Sequence, residues 1–244
     1  MLIGIKRWFA SPPDASSQVW GEVSAWARHN GCKFRGVPGE GFVIDGQSAG
    51  TAWRLEWGPS QRPYIDTHEL RLRADLPLPG DLQMVLMNRG LQETMEKAIF
   101  EQYVEGVQTR IDQQTPPEMR WLVMFPRLTG NEMGPLRTSF VAVASAKCWM
   151  LLWLQGQLTC AIQAAPLDAT TPMALMVSRS RLMLRTALAD PDLASLQSWL
   201  CLFQTAIAEA NRVACQPPAT DANGPATAAS GWAASVVPGS EGRS

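Results

Sequence analysis

Apolar and polar residues alternate along several short stretches of the chain, and a period of two is typical of β-strands. In "TAWRLEW", Trp53, Leu55 and Trp57 would point to one side of a strand and the charged residues between them to the other. The neighbouring stretches "GFVIDG" and "ELRLRADL" alternate in the same way, with glycine or proline between them. The pattern predicts an antiparallel meander with one apolar and one charged face. On the charged face, cross-strand ion pairs are expected among Arg54, Glu56, Arg71, Arg73 and Asp75.

Apolar residues that recur every three or four positions predict helices over residues 14–30, 90–111 and 147–164, and from Asp190 onward. "MALMVS" and "RLMLRTAL" predict a hairpin around Arg179-Ser180, and "SFVAVAS" predicts a further strand. Two stretches are ambiguous. "DLQMVLM" fits a strand or the start of the next helix, and "RWLVMF" fits a strand or a short helix capped by "TPPE".

Two segments share the pattern L-x-L-R-x-x-L, namely "LRLRADLPLPGDL" and "LMLRTALADPDL". With the order of the elements, this predicts an α+β fold: an antiparallel sheet with flanking helices, built from two related β-α-β-β-α halves. The halves would be residues 1–125 and 126–215. Chance likeness between amphipathic strands is the alternative explanation of the repeat.

Residues 216–244 are rich in Ala, Ser, Thr, Gly and Pro, which predicts a disordered tail with Trp232 as its only large anchor.

Charge and composition exclude several classes of function. The 21 basic and 22 acidic residues give a net charge of -1, which argues against a general nucleic-acid binder. The five cysteines are odd in number, form no C-x-x-C pair and have apolar neighbours, so mostly buried, reduced thiols are expected. With only two histidines, a zinc site is not expected, and no motif calls for a cofactor.

The sequence predicts a cytoplasmic protein of bacterial origin without integral membrane association. Its first residues lack the layout of a secretory signal. The longest apolar run, residues 148–154, is far shorter than the roughly 20 residues that cross a bilayer. Peripheral membrane attachment through "LIGIKRWF" is an alternative, although this segment is short for strong binding.

Residues for chemistry are few, and none belongs to a known catalytic motif. His68 lies between Asp66 and Glu69 and is the one candidate for a general base, although a loop histidine without a catalytic role is the simpler interpretation. A second hypothesis is an anion-binding surface, because arginine suits carboxylate and phosphate groups. Its residues would be Arg71, Arg73 and Arg185, with Arg179 and Arg181, and with Trp57 and Tyr64 beside a Gly-Pro turn. The alternative is a solvated strand face with local salt bridges.

The leading prediction is a non-catalytic module that acts through a protein partner or as a homo-oligomer. It depends on the lack of catalytic constellations and on abundant Trp, Met and Leu, which suit adaptable interfaces. The alternative is an enzyme or sensor that binds a small anionic ligand through the strand arginines and His68. A pocket that holds His68 beside Arg62 or Arg71 would favour this alternative, and a flat surface there would favour the module.

Overall fold

The computed structural model describes residues 20–37, 39–104, 115–168 and 170–216. Within these ranges, eight strands form one antiparallel sheet and seven α-helices flank it, which confirms the predicted α+β class. The strands are β1 (Lys33–Val37), β2 (Gly41–Ser48), β3 (Thr51–Pro59), β4 (His68–Asp75), β5 (Met84–Asn88), β6 (Phe140–Ala144), β7 (Met173–Ser178) and β8 (Arg181–Ala187). The helices are α1 (Gly21–His29), α2 (Arg89–Val104), α3 (Pro117–Met124), α4 (Gly130–Met133), α5 (Lys147–Leu154), α6 (Gln157–Ala164) and α7 (Leu193–Ala214).

The strands follow the order β1-β2-β3-β4-β8-β7-β5-β6. At the centre, the two segments of the proposed repeat pair with each other, so that Leu72 lies opposite Leu184 and Arg71 opposite Arg185. Strand β5 lies between β7 and β6. The proposed halves therefore contribute strands to one shared sheet, and their relation as a repeat stays a prediction.

The two faces of the sheet carry separate apolar cores. The main core joins α1, α5, α6 and α7 to one face of the sheet and includes Trp53, Leu55 and Trp57. The second core lies on the opposite face and joins α2 and α3 to β5, β6 and β7. On that opposite face of β1–β4, most side chains are exposed or half-buried, with Glu69 as a fully buried exception, and none of the described helices packs on them. We call this area the open face.

Two register rows define the open face. One row runs from Arg35 through Val43 and Glu56 to Arg71, and the other runs from Lys33 through Asp45 and Arg54 to Arg73. Directly opposite residues in antiparallel strands share a face, so the side chains within each row are neighbours. The charged side chains of β1–β4 on the open face are Lys33, Arg35, Asp45, Arg54, Glu56, Glu69, Arg71, Arg73 and Asp75.

Several ambiguous or incorrect predictions are resolved by the described elements. "DLQMVLM" forms β5, and "RWLVMF" lies mostly in α3. The capping box predicted in "TPPE" is wrong, since Pro116 is the N-cap and no side chain caps the helix. The single helix predicted over residues 147–164 is two helices, because Gly156 takes a positive φ of 80° between them. Strand β1 was not predicted.

The expectation of mostly buried cysteines is also wrong. Cys148, Cys160, Cys201 and Cys215 are exposed, and Cys32 is half-buried. Each of the first three lies on a helix of the main-core layer and faces away from the sheet, although its neighbours in sequence are apolar.

None of the helices in the described ranges combines the length and apolarity needed to cross a bilayer. Three predicted segments lie outside the described residues: residues 217–244 of the tail, the start of the helix predicted over residues 14–30 and the end of the helix predicted over residues 90–111.

Candidate functional site

The side chains predicted to bind a ligand lie on opposite faces of the sheet. Arg71 and Arg73 alternate with buried residues on β4, and Arg185 lies directly opposite Arg71 on β8. Trp57 and His68 point the other way, and their rings stack with centroids 4.5 Å apart and planes 6° from parallel. The sheet therefore separates these two residues from the three arginines.

Trp57 is a buried core residue that is fixed by protein contacts. Its indole Nε1 donates to the backbone oxygen of Leu188 at 2.8 Å, and the rings of Trp20 and Phe42 pack against it. Only 7% of Trp57 is exposed. The alternation in "TAWRLEW" thus marks a core face, and a direct role of Trp57 in binding stays a prediction.

His68, at the start of β4, stacks on the Trp57 ring. Its neighbour Glu69 points to the opposite face of the sheet, because successive residues of a strand alternate. Among the described residues, no carboxylate forms a hydrogen bond or ion pair with the imidazole, so the oriented acid–base pair expected of a catalytic histidine is not formed there.

Glu69 is fully buried and joins the two opposed arginines at the centre of the sheet. Arg185 Nη1 donates to Glu69 Oε1 at 2.5 Å, and Arg71 Nη1 lies 3.4 Å from Oε2. The backbone N–H of Gln61 donates to Oε2 at 2.9 Å. One buried carboxylate thus neutralises much of the charge of two arginines that were predicted to attract an anion.

Glu118 forms a second buried carboxylate centre, on α3. Its Oε1 accepts hydrogen bonds from Arg62 Nε and from the Tyr64 hydroxyl, both at 2.6 Å, and none of its side chain is exposed. Burial, together with the charge of Glu118 and the hydrogen bond to it, raises the pKa of Tyr64 above its ordinary value near 10. These contacts connect the 60–67 loop to α3.

The two centres meet at the 60–67 loop, because the Gln61 N–H donates to Glu69 and the next residue, Arg62, donates to Glu118, and we call the two centres together the buried network. Arg185 lies opposite Ala174, which belongs to the second core. Two buried atoms of the network, Glu118 Oε2 and Arg185 Nε, have no hydrogen-bond partner among the described residues. The network brings together Tyr64, Arg71 and Arg185 from the predicted site with Arg62, Glu69 and Glu118, and it leaves out Trp57, His68 and Arg73.

Sequence reasoning missed the role of Glu118 although a signal was present. Trp121 and Leu122 follow Glu118 at three and four residues and are buried, so the carboxylate lies on the apolar side of a short helix. An acidic residue at such a position is rare unless it is paired.

The open face carries a further set of ion pairs centred on Glu56. Its carboxylate lies 3.3 Å from Arg71 and from Arg73 and 3.9 Å from Arg54. Arg54 also binds Asp45 through two hydrogen bonds, of 2.5 and 3.2 Å. These contacts confirm the predicted cross-strand ion pairs, and Asp75 pairs with Arg181 of β8.

A cleft lies at the end of the sheet where β5 passes into α2. It has a volume of about 620 Å³ and is lined by the start of α2, residues 135–140 and the end of α6, and none of the predicted site residues lines it. Within the described ranges, no group of three or more His, Cys, Asp or Glu side chains is arranged to hold a metal ion.

No known protein family matches the sequence, and no curated protein is similar to it. A comparison with solved structures finds a crystal structure of the mycobacterial trehalose monomycolate transport factor A, TtfA. The two chains are 11% identical, with a TM-score of 0.42 over 80% of this chain and 94% of the other. A TM-score of this size does not establish a common fold, and nothing about the function of this chain follows from it.

Proposed function

We propose that this protein is a non-catalytic module that binds a protein partner with an acidic surface through the open face. The observation that supports this proposal is that the two faces of β1–β4 differ. Helices and a core cover one face, whereas the other presents two rows of charged side chains on which no described helix packs.

The ion pairs of the open face hold its arginines in place before a partner arrives. Glu56 contacts three guanidinium groups, which restricts their rotation without covering them, since the side chains of Arg54 and Arg73 remain 35% and 44% exposed. Immobilising a long side chain on binding costs about 0.5–1.5 kcal/mol, and a side chain that is already fixed avoids part of this cost. Arginine is also enriched at protein interfaces, where its planar group pairs with carboxylates.

The charge of the open face favours a different protein over a second copy. Five basic residues, namely Lys33, Arg35 and three arginines of β3 and β4, outnumber the three acidic residues that are not buried, namely Asp45, Glu56 and Asp75, and the fourth acidic residue, Glu69, is fully buried. Two copies placed face to face would oppose like charges, which is costly in an interface. An acidic partner would complement the same rows.

The alternative, a site for a small anion, receives less support from the geometry. Arg71 and Arg185 are paired with Glu69, and His68 lies on the other side of the sheet. A small ligand at these arginines would have to displace a buried carboxylate, at a cost of several kcal/mol for the charge left unpaired.

Site-specific photo-crosslinking in the cells that produce the protein tests the proposal. A photo-reactive residue at Arg73, on the open face, should yield a crosslinked polypeptide, whereas the same residue at Arg28, on α1 in the main-core layer, should not. The identity of the polypeptide is read by mass spectrometry. The double variant R54E/R73E should remove the product, and the control double variant R28E/K97E, with the same change of charge away from the open face, should retain it.

Two results would contradict the proposal. Equal products from Arg73 and Arg28 would indicate collisional crosslinking. A crosslinked product that consists only of this chain would show that the open face binds a second copy and not an acidic partner.

A further inference from the structure

A cleft of about 620 Å³ opens at the end of the sheet where β5 passes directly into α2. Three further segments complete it: residues 135–140, the end of α6 and residues 165–168. Small-molecule sites in proteins have volumes of roughly 300–1,000 Å³. The cleft therefore has the size of a site for one small molecule.

Apolar side chains form one part of the lining. Leu136, Phe140 and Ile162 belong to the main core and are 1–6% exposed, so the floor of the cleft is a fixed part of the fold. Leu167 and Pro135 extend this apolar surface. A hydrocarbon body in the cleft would remove from water the apolar surface that these five side chains still expose, which favours binding.

Arg89 supplies a positioned positive charge on the wall of the cleft. Its Nη2 donates to the backbone oxygen of Arg137 at 2.6 Å, and its Nε donates to the backbone oxygen of Thr138 at 3.0 Å. Both contacts are to neutral carbonyl groups, so the charge is oriented but not neutralised, and Nη1 has no hydrogen bond within the described residues. The hydroxyl groups of Thr138 and Ser139 line the same side.

Two acidic residues limit the charge of a ligand that this cleft can accept. Asp168 Oδ1 accepts three hydrogen bonds from Thr170 and Thr171, which lower the pKa of Asp168 to about 2 and keep it ionised. Glu93 is exposed one turn after Arg89 on α2. Both carboxylates would repel a polyanion such as a nucleoside triphosphate more strongly than a monoanion, whose single charge can pair with Arg89.

We propose that this cleft binds a small amphiphilic monoanion, a carboxylate with a hydrocarbon body. The carboxylate would pair with Arg89 and accept from the hydroxyl groups beside it, and the hydrocarbon would lie on Leu136, Phe140 and Ile162. This site lies apart from the open face, and its ligand is independent of the protein partner proposed above.

Binding of three simple probes to the full-length protein tests the class of ligand. Octanoate has both the carboxylate and the hydrocarbon, acetate has the carboxylate without a long hydrocarbon, and octylammonium has the same hydrocarbon with a positive charge. Isothermal titration calorimetry should show saturable binding of octanoate, with acetate and octylammonium at least about tenfold weaker. Acetate lacks the hydrocarbon that would cover the apolar lining, and octylammonium would place a positive charge beside Arg89. No binding of octanoate, or equal binding of octanoate and octylammonium, would overturn the proposal.

Substitutions then locate the site. R89Q removes the charge and should weaken octanoate binding at least about tenfold, and A165W should block binding by filling the cleft while leaving Arg89 intact. K97Q removes one positive charge from the same helix outside the cleft and should bind octanoate as the unchanged protein does. Thermal unfolding followed by circular dichroism verifies that each variant is folded. If folded R89Q or folded A165W retains the original affinity, the proposed site is wrong.

Discussion

Glu69 and Glu118 show how two carboxylates without exposed surface are kept in the fold. Burial of an unpaired charge is very costly, so each must be neutralised by neighbours. Arg71 and Arg185 neutralise Glu69, and Arg62 neutralises Glu118. The alternation of β4 indicated the face on which Glu69 lies. The pairing with Arg185 could not be predicted, because 116 residues separate the two in the chain.

Replacement of Glu118 by alanine should destabilise the protein by about 3 kcal/mol, at the lower end of the range for breaking a buried pair, because Arg62 remains 19% exposed. Arg62 and Tyr64 would both lose the acceptor that they share. Urea denaturation measures the change in the free energy of unfolding. The control E101A, at a residue of α2 whose side chain is 59% exposed, should change it by less than about 0.5 kcal/mol. A similar small change for E118A would contradict the assigned role.

Tyr64 should make stability fall at alkaline pH. The pKa of its hydroxyl is raised in the folded state by burial and by Glu118, so folding favours the protonated form. This contribution is fully present below the unfolded pKa near 10 and is lost as pH rises above it, by about 1.4 kcal/mol per pH unit. Urea denaturation of the unchanged protein and of Y64F between pH 9 and roughly pH 11 should show their difference shrinking with pH. A constant difference would show that Tyr64 ionises equally in both states.

At the scale of elements, local pattern predicted the strands well where alternation was clean and poorly where it was short. The stretches assigned to β2, β3, β4 and β8 were predicted because each alternates over several residues, and β7 was predicted although it is a continuous apolar run, "MALMVS". Strand β1 was missed because "KFRGV" has five residues, two of them basic and one glycine. Its pairing with β2 overrides this weak local preference.

The β7–β8 turn stores backbone strain that a single substitution can relieve. Arg179 and Ser180 both take positive φ, of 52° and 59°, as a two-residue turn of this kind requires. Ser180 Oγ also donates to the backbone oxygen of Leu78 at 2.8 Å, so Arg179 is the better position to change. R179G should stabilise the protein by about 1 kcal/mol, because glycine adopts positive φ without steric cost.

The matched control for this turn is R181G, two residues further on, inside β8. It should destabilise the protein by about 1 kcal/mol, because glycine weakens a strand and the ion pair with Asp75 is lost. Thermal unfolding gives the sign of both changes. Destabilisation by R179G would mean that a contact of the Arg179 side chain stabilises the folded protein by more than the strain at positive φ destabilises it.

At the scale of the whole molecule, the sequence predicted the class of fold and not the order of the strands. An antiparallel sheet with flanking helices follows from local periodicity, and the candidate arginines were correctly placed outward from apolar strands. The insertion of β5 between β7 and β6 could not be predicted, since it depends on pairings between residues about 55 to 90 positions apart. The division of the site residues between two faces has a simpler cause. Trp57 and His68 are each two residues from a buried core residue of the same strand, so they point to the core face.

This strand order predicts that residues 126–216 do not fold alone. Without β5, strand β6 loses the one strand that pairs with it in the described sheet, and β8 loses β4 as well. Both cores lose apolar residues of β5, namely Met84 and Leu86 on one face and Val85 and Met87 on the other. The isolated fragment should therefore show no cooperative thermal transition and poorly dispersed NMR signals. Co-expression with residues 1–125 should restore both, because the missing strands return as a separate chain. A fragment that unfolds cooperatively by itself would instead favour two independent halves, and the sheet would then be an interface between domains.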